Sequence, residues 1–276
     1  SSNHWNFTWQ SSQSIATELA NRGHRVTYIE PLPKRWTNRK ELKRVLARIL
    51  GTNLGGGTVP QFKKPNVAVR SIIALPDVGR FAQWLNRRLL IPLATRKLLQ
   101  DNSTGEPIVV INQLPIPASL ALQRGLAPCL SIYLCMWDWS NDPHVGHVEF
   151  EPQLFKSVDL VIADPPKNIA RAKKLHNTIL VIPGGVDLGV FLKENYPTPS
   201  RNQHPLCVYF GSIGKNINTR LLAQVSQRYR LRLVGPWNNG ETSLSPQTEM
   251  VGPVPYEDVP KHLADADVIL FPYDSA

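Results

Sequence analysis

The chain has 276 residues, 42% hydrophobic and 19% charged, with a formal net charge of +10. That is long enough for two globular domains, and no stretch reaches the ~18 consecutive apolar residues of a membrane-spanning helix. The opening Ser1–Gln10 is polar and aromatic rather than basic then apolar, so it is not a secretory leader. Three cysteines (Cys129, Cys135, Cys207) have no metal-ligand spacing and leave an odd thiol, which suits a reducing, cytoplasmic setting.

Residues 13–22 place Ile15, Ala16, Leu19 and Ala20 on one helical face, and Gly23 closes the helix. His24–Ile29 follows as a strand. A helix feeding a strand so directly belongs to a βαβ unit whose first strand is not in the sequence, so the chain is expected to start inside that unit. Lys34–Leu50 carries Leu42, Val45, Leu46 and Ile49 at helical spacing, with Lys40, Lys43, Arg44 and Arg48 around the turn. Gly51–Pro60 reads as a loop without the spacing of a phosphate-binding or dinucleotide fingerprint. Arg80–Leu99 repeats the basic, amphipathic pattern. Both basic segments admit two readings: a helix with a solvated basic face, or a face for anionic lipid headgroups. No stacking-aromatic or groove-reading motif accompanies the charge, so nucleic acid is not an expected partner.

Strands are expected at Val67–Ile73, Ile108–Asn112, Leu130–Leu134, Leu160–Ala163 and Ile179–Ile182, with helices at Pro117–Gln123 and Pro166–His176. Short apolar runs separated by helices favour a mostly parallel sheet covered on both faces. Ile179–Phe191 contains a Pro-Gly-Gly break and leads into a polar, Pro-rich run; the series then restarts at Leu206. We therefore expect a first domain at 1–191, a linker at 192–205 and a second domain at 206–276. The second has strands at Leu206–Phe210, Leu231–Val234 and Val268–Phe271 and helices near Asn218–Gln227 and Val259–Ala264. At roughly seventy residues it is short for an α/β domain, and its end also reads as truncated.

Small residues after a strand let backbone approach a diphosphate, and a following helix start offers N–H groups to an anion. Gly211-Ser-Ile-Gly214 and Gly235-Pro236 occupy such positions, with Lys215 as a nearby charge. Their alternative is an ordinary turn with a surface lysine. Asp138, in Tyr133-Leu-Cys-Met-Trp-Asp-Trp-Ser-Asn-Asp142, lies between Trp137 and Trp139 just after a strand. Two flanking rings would desolvate the carboxylate and raise its pKa, suiting a base or a ligand for sugar hydroxyls; alternatively the rings pack and Asp138 caps a turn. His144 and His147 have no third ligand at fixed spacing, so no metal is expected.

Val181-Ile-Pro-Gly-Gly-Val-Asp187 with Phe191, Val208-Tyr-Phe-Gly-Ser212, Leu233-Val-Gly-Pro236 and Gly252–Pro272, taken in that order, resemble the landmarks of the GT-B glycosyltransferases. The likeness is nearest to family 4 and its teichuronic-acid, TuaH-like branch. Trp5, Trp9, Gln10 and the helix that follows are similar to that branch's first loop and helix. The resemblance implies two Rossmann-like domains facing a cleft, the second one incomplete here. It implies a nucleotide-diphosphate sugar as co-substrate, no cofactor, and a glycan or lipid-linked acceptor in bacterial cell-surface polysaccharide synthesis.

It also implies retaining transfer of a hexosyl type in the cytoplasm, with peripheral attachment at the inner membrane face. Donor contacts are expected at Gly211, Ser212, Gly214, Lys215, Gly235, Pro236, Val254, Pro255 and Tyr256, the last three holding the nucleotide base. Trp5, Trp9, Gln10, Trp137 and Trp139 fall on the acceptor side, and Asp138 is the catalytic candidate. Two departures stand out. Ser212 and Ile213 occupy the place of a customary Arg, and Leu134 and Trp137 replace acidic residues. The first weakens Lys215 as a diphosphate contact. The second, with the Glu-containing donor segment that the family carries past the Phe-Pro landmark and this sequence does not contain, favours a catalytically inactive scaffold or partner-binding subunit as the alternative. A nucleotide-sugar 2-epimerase on the same fold is a third reading, which the tryptophan-rich opening argues against.

Overall fold

In the computed structural model of the chain, the structure describes residues 4–6, 9–32, 66–76, 79–102, 105–139, 148–192, 204–214, 216–238 and 243–273. The basic segment 34–50, the glycine-rich loop, the His144/His147 pair, Lys215 and nearly all of the expected linker lie outside these residues. The described residues form two compact units, one comprising His4, 19–32 and 66–185, the other 5–18 and 186–273.

The chain enters helix α1 (Ser11–Asn21) through a reciprocal cap. The Gln13 side chain accepts the Gln10 N–H at 3.1 Å while the Gln10 carbonyl accepts the Gln13 and Ser14 N–H groups. Gly23 ends the helix at φ 88°, and its N–H and that of His24 return to the last turn.

The first unit contains a two-stranded parallel sheet, β1 (Val26–Ile29) and β2 (Val67–Arg70). The strand expected to reach Ile73 stops at Arg70 because its partner ends there: Ile29 faces Arg70, and the ladder closes with the Glu30 N–H on the Arg70 carbonyl. A long helical run follows, α2 (Arg80–Leu85), a π turn (Asn86–Leu90) and α3 (Ile91–Asp101). The second sheet is parallel, in the order β3 (Val109–Asn112), β4 (Leu130–Cys135), β5 (Leu160–Ala163), β6 (Ile179–Val181). Its helices are α4 (Pro117–Leu126), α5 (Glu151–Lys156) and α6 (Pro166–Leu175). Three of these carry Pro in their first turn, where the missing N–H is no loss. Tyr133, Cys135, Leu154, Phe155, Val161, Ala163 and Ala172 form one buried core.

The second unit repeats the layout around a parallel sheet ordered β10 (Val268–Ile269), β7 (Leu206–Phe210), β8 (Arg230–Val234), β9 (Glu249–Gly252). Between the sheets' sequences lies the short helix α7 (Leu188–Phe191), and α8 (Thr219–Arg228) and α9 (Val259–Leu263) serve the second sheet. Alternation along β7 separates two cores. Cys207 and Tyr209 pack with Leu222, Leu231 and Leu233, whereas Leu206 and Val208 pack with Val234, Val254 and Leu263. A strand buried on both faces needs the near-continuous apolar run that Leu206–Phe210 provides.

β9 is a strand that the periodicity missed. It is an edge strand with Glu249 and Met250 exposed, so it carries no apolar alternation, and Glu249 instead pairs with Arg232 across the ladder at 2.7 Å. Both units are α/β with parallel sheets, the Rossmann-like class that the resemblance implies.

Candidate functional site

Ligands of parallel α/β sheets bind beyond the carboxyl ends of the strands. Each unit has such an edge, and the two are built from different materials.

In the first unit, β4 delivers Tyr133 and Cys135 to its carboxyl end and continues through Met136 to Trp139. Helix α6, which starts at the neighbouring β5 end, carries Lys167 and Arg171 four residues apart and so on one face. Arg171 lies at the centre of a charged cluster. One terminal nitrogen donates to Asp138 Oδ1 at 2.9 Å; the other donates to Glu151 Oε1 at 3.1 Å, to the Trp137 carbonyl at 3.2 Å and to Cys135 Sγ at 3.5 Å. Lys167 Nζ is 2.7 Å from Asp138 Oδ2. The Tyr133 hydroxyl donates to Glu151 Oε1 at 2.6 Å.

Burial pushes the Glu151 carboxyl up, against the Tyr133 hydroxyl and Arg171, which pull it down. Burial likewise raises the Tyr133 phenol and the Cys135 thiol. For Arg171, burial acts downward, but Cys135 and Glu151 outweigh it and hold the guanidinium more firmly charged than usual.

This cluster changes the reading of Asp138. Its oxygens face two cations, Arg171 at Oδ1 and Lys167 at Oδ2, and its side chain is mostly buried. Trp137 is 53% exposed, whereas Trp139 is buried in a core with Leu32, Ile91, Leu114 and Ile116. Trp139 therefore packs rather than offering a face to an acceptor. Arg171, Lys167, Glu151 and Tyr133 were missed from the sequence. Only the four-residue spacing of Lys167 and Arg171 hinted at a shared face, and nothing local showed what that face would meet.

In the second unit, three adjacent strands each end in a glycine of positive φ: Gly211 (137°) after β7, Gly235 (137°) after β8 and Gly252 (77°) closing β9. At Gly235 the reason is space as well as φ: a Cβ there would lie 2.1 Å from the Gly211 carbonyl oxygen. The loops are stitched side by side. The Gly211 N–H donates to the Val234 carbonyl and the Gly235 N–H to that of Gly252, both at 2.8 Å. The Ile213 N–H donates to the Pro236 carbonyl at 3.0 Å, and Asn238 Nδ2 donates to Ser212 Oγ at 2.9 Å. Gly211, Ser212, Gly214, Gly235 and Pro236 are thus brought together along one edge.

Because several of these N–H groups serve neighbouring carbonyls, the glycines contribute room for close approach more than free donors. Helix α8 begins just beyond, and Asn218 caps it by accepting the Leu221 N–H at 2.8 Å. One of the first-turn N–H groups expected to meet an anion is therefore already engaged.

Val254, Pro255 and Tyr256 follow β9 on the same edge, with Val254 set against the core and Pro255 leading into a 3-10 turn (Tyr256–Asp258). The Tyr256 ring stacks on Trp9 (centroids 5.7 Å apart, planes at 20°), and Phe191 meets it edge-on at 5.9 Å. A nucleotide base could use only the face that Trp9 leaves. Trp9 also donates to Ser14 Oγ at 2.8 Å, and Trp5 is 1% exposed, edge-on to Trp9. Trp5 and Trp9 are therefore structural neighbours of Tyr256 in the second unit, and Gln10 is the cap of α1. Of the five acceptor-side candidates, Trp137 alone presents an exposed ring.

Comparison with protein-family models and with curated proteins finds no match. Among solved structures, the apo form of the lipopolysaccharide outer core galactosyltransferase WaaB is similar, with a TM-score of 0.42 and 11% identity over 76% of this chain. The match spans 60% of that enzyme's length. A likeness so distant carries no weight for function, which rests on the chain's own residues.

Proposed function

We propose that the protein is a glycosyltransferase of the GT-B kind that moves a sugar from a nucleotide-diphosphate donor to a glycan or lipid-linked acceptor. The observation that carries this reading is the row of strand-end glycines, Gly211, Gly235 and Gly252, along adjacent parallel strands. Side chains there would hold a diphosphate away from the backbone, and helix α8 starts beside the row. The ordered sequence landmarks support the same reading and favour family 4 and its TuaH-like branch, hence retaining transfer without a cofactor, in cell-surface polysaccharide synthesis.

In this mechanism the diphosphate lies over Gly211–Gly214 and Gly235–Pro236. As the glycosidic bond breaks, negative charge grows on the leaving phosphate, and the positive end of α8, with Lys215, offsets it. Asp138 serves as a hydroxyl ligand better than as a base, because Lys167 and Arg171 already engage its two oxygens and fix their positions. Trp137 gives a sugar ring a stacking face beside it.

A second reading, a GT-B scaffold without turnover, is favoured by one observation: the Tyr256 ring is already stacked on Trp9. A single experiment separates the two. The protein is incubated with a panel of UDP and GDP sugars and oligosaccharide or lipid-linked acceptors, and free nucleotide diphosphate is measured. Acceptor-dependent release supports transfer. Nucleotide binding without release supports the scaffold, and neither binding nor release overturns both.

A further inference from the structure

Helices α3 and α4 pack together in the first unit, and a groove of about 760 Å³ opens along their contact. Pro92, Leu99 and Ala121 wall it, and Arg87, Arg96 and Arg124 border it. Its place in the fold sets it apart from both strand-end sites. Helix α4 leaves the carboxyl end of β3 at Pro117 and returns the chain to the amino end of β4 at Leu130. Its last turns, which line the groove, therefore lie toward the opposite edge of the sheet from Asp138.

The charge around the groove has one sign. Neither Arg80–Gln100 nor α4 contains Asp or Glu. Among the described residues Arg87, Arg96 and Arg124 are not ion-paired. Like charges around one apolar hollow repel, and an anion between them relieves the repulsion. The floor supplies a second signal. Thr95 is 6% exposed, and its hydroxyl has no hydrogen-bond partner among the described residues. A helical threonine ordinarily returns its hydroxyl to a carbonyl one turn back, and a buried hydroxyl left unpaired is unfavourable. Thr95 lies against Gly125, where a Cβ would come 2.9 Å from Thr95 Oγ1. Glycine is a poor helix former, and here its missing side chain keeps the floor open. Arg96 follows Thr95 on α3 and Arg124 precedes Gly125 on α4, so two guanidinium groups flank that point.

We infer that this groove is a binding site for a small organic anion with an apolar body. Its carboxylate, sulfonate or phosphate group lies at the Thr95–Gly125 floor between Arg96 and Arg124, whose forked donors suit such oxygens. Its body lies along Pro92, Leu99 and Ala121. The volume falls within the ~300–1,000 Å³ of sites for ligands of that size. An inorganic anion would leave the apolar walls wet, and a neutral apolar molecule would leave the arginines and the hydroxyl unmatched. The inference does not depend on the transferase reading.

The test is a fluorescence titration with anilinonaphthalene sulfonate, set against N-phenyl-naphthylamine, the same ring system without the sulfonate. Four forms are compared: unaltered, Arg96→Gln/Arg124→Gln, Thr95→Val, and Phe81→Ala/Trp84→Ala. The last removes two exposed rings outside the groove, 71% and 53% exposed. Circular dichroism verifies that each form is folded. The expected result is one saturable site for the sulfonate, with the neutral analogue bound at least about tenfold more weakly. The arginine variant should lose about tenfold or more in affinity, and Thr95→Val about threefold. Thr95→Val should leave the thermal midpoint no lower, because the hydroxyl it removes is unpaired in the free protein. The aromatic variant should bind as the unaltered protein does. Absence of binding, equal affinity for the neutral analogue, or affinity unchanged in the folded arginine variant would overturn the inference. So would loss confined to the aromatic variant, which would place the probe on the exposed rings, or displacement by UDP, which would place it on the glycine edge.

Discussion

The two parallel sheets share a strand pattern and differ in what stands at their carboxyl edges. The edge of β3–β6 is crowded with side chains, and Arg171 links Asp138, Glu151 and Cys135 there. The edge of β7–β9 is stripped of them by Gly211, Gly235 and Gly252. One edge presents fixed charges that can orient hydroxyl groups; the other presents backbone that a bulky anion can approach. The same architecture is thus divided by residue choice into a side-chain site and a backbone site.

Breaking the charged edge should have the largest effect. Arg171→Met leaves the buried Glu151 without its cation and takes one of two cations from Asp138, and it should cost about 3–5 kcal/mol in urea-unfolding free energy. Adding Glu151→Gln should recover part of that loss. If Arg171→Met is neutral, the cluster is a solvated surface and the contrast fails.

The glycine edge should break more selectively. Gly235→Ala meets the Gly211 carbonyl and a strained φ, so it should lower stability by at least about 1–3 kcal/mol and abolish nucleotide binding. Gly252→Ala has a positive φ but nothing within 4 Å of the added methyl, so only backbone strain of about 1–2 kcal/mol applies. Equal effects at the two positions would remove close approach as the reason for glycine at Gly235.

Smaller effects with opposite signs should appear in the pH dependence of unfolding. Burial raises the Glu151 carboxyl, so its contribution is full below the ordinary Glu range and is lost as pH rises through the raised value. Arg232 lowers the Asp265 carboxyl in the second unit, so its contribution is present above the ordinary Asp range and is lost as pH falls. Glu151→Gln should flatten the first slope and Asp265→Asn the second. Asp138→Asn should change unfolding least and lower turnover more than donor affinity; the reverse would make it donor-facing.

The cores were legible in the sequence because burial on both faces writes itself as an apolar run, as in Leu206–Phe210. The glycine edge was legible for a local reason: Gly211 and Gly235 each follow a strand directly. The edge strand Glu249–Gly252 was not, because Glu249 and Met250 are both exposed and Val251 and Gly252 both partly covered, so no alternation is written there. The charged cluster was hidden because its members come from β4, α5 and α6, and only the sheet order brings Tyr133, Glu151 and Arg171 together. Trp139 was offered as an acceptor face because an aromatic residue next to a strand end reads alike whether it packs or binds, and Trp5 because of its place in a loop resembling that of the family; both are buried, which decides for packing.

The central claim is that the glycine edge takes the nucleotide diphosphate. The direct measurement is a titration with UDP and then GDP, following backbone amide shifts in the assigned protein. The account predicts perturbations at Gly211–Gly214, Gly235–Trp237 and Gly252–Tyr256, lost in Gly235→Ala. Perturbations confined to Asn112, Cys135–Trp139 and Asp164–Gly185 would contradict it and move the nucleotide to the charged edge.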